Sequence, residues 1–492
     1  MTSVSGSVTV GIDIGTTSTK AVAVDAEGTV LARSRVGHRV ITPAPDLLEH
    51  DAGRAWRKGP LRALAEVSTT IGSSEIAGVC VAGMVPSLAA VTRRGFPCSP
   101  GLLYGDLRGR DSGDAAGAEA VGDAPVATAR DASAAEPIVA SDSHMPDAEG
   151  FVRWAVRECP GAHGYWPAQA VANYALGRVP AVDSAVSMSL GALMSGGTWD
   201  SAVLESIGVS EKQMPVLVLM GEAAGTVTGT NAVLAGGTVD ALCDQIVSGA
   251  EEPGDVLVIC GATLVVWAVV TDWIESPGLW TVPHTTAGRV LVGGPSNAGA
   301  FFVDWARALL DRTALRQNAA RAKGARGAQG AGGEQRTGDP WRVPVWTPYL
   351  RGERAPFHDP LLRSGLHGLD VTHDAASLER AAHEASGFVV RQMLDRAGIS
   401  AKRIVASGGG TRSRPWMQAM ADATGLPVDV VAVHEGAALG AAYMARMAAG
   451  IADGLEGASR WARVGERIEP DRRWQEAAAE RYRRFRSLGP ET

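Results

Sequence analysis

Two stretches of this 492-residue chain have the same build: an apolar run, a short turn of small residues, and a second apolar run. The first is Val8–Val24, with Gly15-Thr16-Thr17-Ser18 at its turn, and the second is Asp255–Val270, with Gly261-Ala262-Thr263. Short apolar runs bounded by turn residues read as buried strands, so each stretch is expected to be a β-hairpin. The first carries Asp13 at the end of its leading run. A carboxylate inside an apolar strand is costly unless it has a task, such as holding a hydrated cation. The turn after it offers backbone N–H groups and hydroxyls without bulk, which suits a phosphate. It is not the loop G-x-x-x-x-G-K-[ST], whose spacing is absent. A third such turn, Gly408-Gly409-Gly410-Thr411, follows the apolar run Ile404–Ser407. Taken singly, each is also what an ordinary structural hairpin looks like. Three of them at strand ends, spread over both halves, are what a nucleotide clamped between two domains would need.

A chain this long exceeds what one core serves, so domains are expected over 1–250 and 251–450, with 451–492 a peripheral tail. The junction falls at Glu251–Asp255, which is polar and bears Pro and Gly. In the first domain, Thr29–Arg35 adds a third antiparallel strand, and Ile76–Val81 and Leu88–Val91 flank the turn Gly83–Ser87. Phe151–Arg157 reads as helical, and a further helix should run from Ala241 to Val247 behind Asp240. In the second, Pro415–Thr424 is a helix closed by Gly425, and Glu435–Ala449 is an Ala- and Met-rich helix suited to close packing. Ala314–Asp339 lacks apolar periodicity and reads as a mobile surface loop.

Several classes are excluded. The net charge of −7 gives no electrostatic case for nucleic acid or an anionic membrane surface. No eighteen-residue apolar run exists and the N-terminus lacks a basic, apolar, small-residue progression, so no membrane span or signal peptide is expected. The five cysteines are scattered, with no C-x-x-C pair, which points to a reduced, cytoplasmic protein without a zinc site.

A longer series of motifs adds specificity. In order, it comprises Leu48-Glu49-His50-Asp51 with Trp56, Leu103–Arg108, Trp199–Leu217, Gly237–Ala241, Pro348–Pro356 (PYLRGERAP), Gly365–Leu369, Leu378–Glu384, Ser407–Val428, and Glu435 with Ala438–Ala442. Over about Val8 to Gly450, the chain resembles the FGGY carbohydrate kinases, within the actin/hexokinase/Hsp70-like ATPase superfamily. The resemblance implies an α/β fold of two actin-like (ribonuclease H-like) domains, each a mixed β-sheet flanked by helices, with an interdomain cleft. It implies transfer of the γ-phosphoryl group of ATP, with Mg²⁺, to a terminal hydroxyl of a sugar or polyol. A xylulose-like ketopentose is the leading acceptor. Ribulose, an alditol or gluconate is the alternative, as is a non-catalytic or ATPase-only protein on the same fold. The partner is then a small molecule, and the resemblance also allows a homodimer.

The resemblance also distributes roles. Asp240 would be the general base and part of the acceptor site. On the residues alone it reads equally well as a helix N-cap or first-turn carboxylate. Asp244, one turn on, would be a support. Asp13 would organise Mg²⁺, and Gly15, Thr16 and Thr17 would meet phosphate, with Lys20 not counted as catalytic. Gly261 and Thr263 would meet the γ-phosphate, although the family has Gly-Thr-Ser where this chain has Ala262. Gly408, Gly409 and Gly410 would flank the adenine, with Ser413 at the rim. Met84, Asp106 and Arg108 would face the acceptor. Xylulokinases usually carry Gln-Met-His, and glycerol kinases Gln-Arg-Glu, where this chain has Met84, Val85 and Pro86. Loss of those polar positions disfavours glycerol.

Overall fold

The computed structural model describes residues 8–44, 46–109, 148–311 and 338–490. The chain forms two compact units, Met1–Cys243 with Ala437–Gly454, and Asp244–Gly436 with Leu455–Thr492. The division falls inside the helix Asp240–Ile246, a few residues before the polar junction expected at Glu251–Asp255.

The sheet of the first unit is built from β1 (Val8–Ile14), β2 (Ser18–Val24), β3 (Val30–Gly37), β4 (Ile76–Gly83), β5 (Ala223–Thr226), β6 (Val233–Ala235) and β7 (Thr238–Val239). Their order is β5-β6-β4-β1-β2-β3, with β7 also paired to β4. β1 runs antiparallel to β2 and parallel to β4, and it is buried at every position. That is why its sequence is a continuous apolar run rather than an alternating one. β3 lies at the edge, alternates buried and exposed residues along its middle, and runs two residues past the Arg35 end expected for it.

The helix Gly436–Ala448 belongs almost wholly to this first unit, although it lies within the stretch assigned on sequence to the second domain. The reason is a close backbone approach. A Cβ on Gly11 would sit 1.8 Å from the Ala438 carbonyl oxygen, and one on Gly78 would sit 2.6 Å from that of Ala445. Only glycine lets the helix seat so closely on β1 and β4.

The second unit is built on β8 (Asp255–Cys260), β9 (Leu264–Val270), β10 (Trp280–Pro283), β11 (Val290–Ser296), β12 (Arg403–Ser407), β13 (Val428–Val431) and β14 (Val464–Ile468). Their order is β10-β11-β9-β8-β12-β13-β14. β8 is antiparallel to β9, β9 to β11, and β8 is parallel to β12, which repeats the β3-β2-β1-β4 pattern of the first unit. The helices Ala375–Ala397 and Arg414–Thr424 cover this sheet with Phe388, Trp416, Met417 and Met420.

The peripheral tail expected from 451 needs correction. Strand β14 pairs with β13, and the helix Arg472–Leu488 buries Ala477, Ala478, Tyr482 and Phe485 in the core of the second unit. Arg481 adds a bidentate pair to the buried Glu384, with both contacts at 2.7 Å. The many charges of this helix conceal an apolar stripe spaced three or four residues apart. The loop expected over 314–339 lies, apart from its last two residues, outside the described residues.

Candidate functional site

In the first unit, three neighbouring parallel strands end together. β1 lies beside β4 with Asp13 opposite Ala82, and β7 lies on the other side of β4 with Val239 opposite Gly83. Asp13, Met84 and Asp240 therefore fall at one end of the sheet, the carboxyl end at which α/β sheets receive ligands. Asp240 opens its helix, and its Oδ1 accepts the Ala241 N–H at 2.7 Å. It is half-buried. Burial, with the negative charge of Asp13 added to it, pushes its carboxyl up to about 6. Asp13 is 4% exposed, and its Oδ2 takes a hydrogen bond from Lys20 Nζ at 2.9 Å across the hairpin. Lys20 thus holds the Asp13 carboxylate, and the cluster comprises two acids and one ammonium.

The first glycine turn is braced from behind. Gly15 N–H reaches Ser18 O at 3.1 Å, closing the turn. His38 Nε2 lies 2.9 Å from Gly15 O, and His50 Nε2 lies 2.7 Å from Thr16 O. Burial, together with the neighbouring His38, lowers His50 to about 4, and burial lowers His38 as well. Thr16 Oγ1 is held by Tyr104 OH at 2.9 Å, whereas Thr17 is exposed.

The acceptor candidates divide. Met84 follows β4 and is 2% exposed. Asp106, expected to hold acceptor hydroxyls, is wholly buried, and four donors already occupy its oxygens. Leu48 N–H bonds Oδ2 at 2.6 Å, Arg108 N–H and Nε bond Oδ1 at 2.9 Å, and Arg108 Nη2 bonds Oδ2 at 2.7 Å. Two carboxylate oxygens accept about four hydrogen bonds, so none is left for a hydroxyl. Asp106 instead orders Arg108, which also pairs with Glu49 at 2.7 Å and lies over the Trp154 ring.

The second unit holds the other turns. The carbonyls of Gly261 and Ala262 accept from Ala300 and Phe301 N–H at 2.9 and 3.0 Å, capping the helix that begins there. Thr263 is half-buried beside them, and a Cβ on Gly299 would lie 2.3 Å from its carbonyl carbon. Of the three later glycines, Gly408 has φ +89°, and a Cβ there would meet Cys260 O at 2.9 Å. A Cβ on Gly410 would meet Trp416 Cζ3 at 2.3 Å. A Cβ on Gly409 would clash with nothing and would meet only Arg412 Nη1, at 3.7 Å. Ser413 starts the helix Arg414–Thr424 without capping it through its side chain. Ser407 Oγ donates to Asp244 Oδ1, so Asp244 supports the strand that leads into the glycines.

Sequence profiles of one family match both parts of the chain. The N-terminal domain of the FGGY family of carbohydrate kinases matches residues 8–111, and its C-terminal domain matches residues 256–449. The chain belongs to this family. FGGY kinases are phosphotransferases with hydroxyl acceptors and use ATP as co-substrate. Over 465 residues this FGGY kinase is 24% identical to a xylulose kinase of Escherichia coli (strain K12), covering 89% of this chain and 90% of that one. It is 25% identical over 491 residues to a glycerol kinase of Nitratidesulfovibrio vulgaris, covering 94% and 93%. Among solved structures, xylulose kinase from Rhodospirillum rubrum superposes with a TM-score of 0.68 at 25% identity over 98% of both chains. The fold class is thus the two-domain, actin-like α/β one. No helix among the described residues is long and apolar enough to cross a membrane.

One contributor to this site escaped the sequence reading altogether. Gln169 is wholly buried, and its Nε2 donates to Gly83 O at 2.9 Å and Thr238 O at 3.1 Å, tying together the strand ends that precede Met84 and Asp240. Its signal was a polar pair, Gln169 and Asn173, one turn apart in an otherwise apolar helix. His38 left no comparable trace.

Proposed function

We propose that this FGGY kinase transfers the γ-phosphoryl group of ATP to a ketopentose, with Asp240 as the general base. The observation that carries the reading is the Asp240 carboxyl at the sheet end, raised to about 6 beside Asp13. A sugar hydroxyl is a poor nucleophile near neutral pH, and a carboxylate of that strength is ionised there yet still basic enough to take its proton. Asp13 suits Mg²⁺ because two carboxylates against one ammonium leave negative charge unneutralised. The ion retains most of its waters and needs only one or two protein carboxylates. When bound, it would neutralise charge on the transferring phosphate.

In the first unit Thr17 and the amides of its turn would meet phosphate; in the second, Gly261 and Thr263 are the phosphate candidates. Gly409, the one glycine of its triplet where a Cβ would meet no close contact, is the position left for an adenine face. Gly408 and Gly410 act by letting the strand behind them approach. On the acceptor side, Met84 supplies an apolar wall and Arg108 a donor held in place by Asp106 and Glu49. The apolar Met84-Val85-Pro86 segment disfavours glycerol, and relatives named xylulose kinase favour a pentulose. Five free cysteines suit the reducing cytoplasm.

The test is ADP release across D-xylulose, D-ribulose, alditols, glycerol and gluconate, with wild type and Asp240→Asn. A pentulose should stimulate the wild type most. Asp240→Asn should turn over slower by on the order of 10³ while still binding ATP. Stimulation by no acceptor, or near-normal turnover of Asp240→Asn, would overturn the proposal.

A further inference from the structure

We infer that His50 is a positioning residue for the phosphate turn of the first unit: it fixes the direction of the Thr17 N–H by holding the carbonyl of Thr16. The inference rests on the kinase reading above and concerns how its ATP site is kept in shape. His50 is wholly buried and touches the turn only from behind, so it does not itself meet a ligand.

The protonation pattern of its ring is set by its neighbours. Trp56 Nε1–H lies 3.0 Å from His50 Nδ1, and an indole N–H can only donate, so Nδ1 is the bare acceptor. Nε2 then carries the proton and donates it to Thr16 O at 2.7 Å, an oxygen that can only accept. Both ends of the ring impose the same tautomer. His38 serves the preceding peptide in the same way, with its Nε2 at 2.9 Å from Gly15 O, and the two rings meet edge to face at 4.6 Å.

Peptide planarity converts these bonds into a ligand geometry. In a trans peptide the C=O of one residue and the N–H of the next point in opposite directions. Holding Gly15 O and Thr16 O toward the adjoining histidines therefore turns Thr16 N–H and Thr17 N–H the other way. Two successive N–H groups turned to one side form a small anion-binding concavity. The backbone bond that closes the turn, Gly15 N–H to Ser18 O at 3.1 Å, uses neither the Gly15 nor the Thr16 carbonyl, and these are the two oxygens that the histidines hold.

The experiment measures KM for ATP, KM for the acceptor, kcat and the melting temperature for wild type, His50→Gln, His50→Leu and Trp56→Phe. Gln keeps a donor and an acceptor at comparable reach, whereas Leu keeps only volume. His50→Leu should raise KM for ATP about tenfold, the worth of one net hydrogen bond, with the acceptor KM and kcat within about threefold. His50→Gln should recover most of that loss. Trp56→Phe leaves the ring but removes the donor that sets the tautomer, and KM for ATP should rise about threefold. A fall in melting temperature with KM for ATP unchanged, or equal rises in both KM values, would overturn the inference. If His50→Leu does not fold, an unchanged KM for ATP in Trp56→Phe overturns it alone. Direct ATP titration separates the two failures. A wild type that binds no ATP ends both readings, whereas variants that bind ATP as tightly as a binding wild type end only this one.

Discussion

The two glycine hairpins occupy the same place in their sheets, between a central strand and its antiparallel neighbour, yet they are supported by different chemistry. Around Gly15-Thr16-Thr17 the support comes from side chains: Lys20 on Asp13, His38 and His50 on carbonyls, Tyr104 on Thr16. Around Gly261-Ala262-Thr263 it comes from backbone, with two carbonyls capping a helix and Gly299 packed against the turn. The first unit also holds both carboxylates of the candidate site. Under the proposed function the same topology would serve two tasks: the charged hairpin the metal ion, beside the Asp240 base, and the apolar hairpin a nucleotide met largely by backbone. Breaking either support should damage a different observable.

The largest effect should follow from removing the charge that sets the first hairpin apart. If Asp13 holds the proposed Mg²⁺, Asp13→Ala is expected to lower kcat by on the order of 10²–10³, because charge on the transferring phosphate would lose its counter-ion site. The equivalent truncation at Thr263 in the second hairpin should fall well short of that. A coupled ADP-release assay at saturating acceptor compares them, and equal losses would erase the distinction.

The pH profile sharpens the same contrast. As the proposed base Asp240 must be ionised, and its carboxyl is raised to about 6, so kcat/KM should fall about tenfold per pH unit below that value and be flat above it. Since the Asp13 charge contributes to the upward shift, Asp13→Asn should move the acid limb of the residual activity to lower pH. The stability effect has the opposite sign to the usual acid. A carboxyl whose folded value lies above its unfolded one favours the fold when protonated, and that contribution is lost as pH rises through about 6. Asp240→Asn should therefore melt higher than wild type at pH 8, and similarly to it at pH 4.

The sequence made the two hairpins legible because strands buried on both faces are written as uninterrupted apolar runs. Asp240 was legible as the first residue of a helix, although its role came from the resemblance rather than from its spacing. What stayed hidden were groups that act on backbone carbonyls far away in sequence: Gln169 on Gly83 and Thr238, and His38 on Gly15. A buried polar residue in an apolar helix, such as Gln169, signals that a partner exists, but nothing in local periodicity names it. In the sequence Asp106 reads as a sugar contact for the converse reason. Its partners include Leu48, 58 residues away, and only the fold reveals that its oxygens are already occupied.

In the second unit, substitutions within the glycine triplet should separate scaffold from surface. Gly410→Ala would push a methyl into Trp416 and Cys260 and is expected to cost about 1–3 kcal/mol, read as a lower melting temperature. Gly409→Ala meets only Arg412 Nη1 at 3.7 Å and should melt near wild type. If Gly409 is the adenine-facing position, this second variant should instead raise KM for ATP. Equal thermal losses would refute the division of roles.

The smallest effect is expected where this chain departs from its family at the second turn. Ala262→Ser restores a hydroxyl that the family usually places there. Were that hydroxyl the principal phosphate contact of the second unit, its return would lower KM for ATP markedly. Yet Ala262 O already accepts a hydrogen bond from Phe301 N–H at 3.0 Å, and Gly261 O accepts one from Ala300 N–H at 2.9 Å. The turn is thus oriented by its peptides, with or without a side chain at 262. One added exposed hydroxyl is worth well under a full hydrogen bond when water competes for it, so KM for ATP should change by less than about threefold. A drop of tenfold or more would mean that the second hairpin, like the first, depends on its side chains.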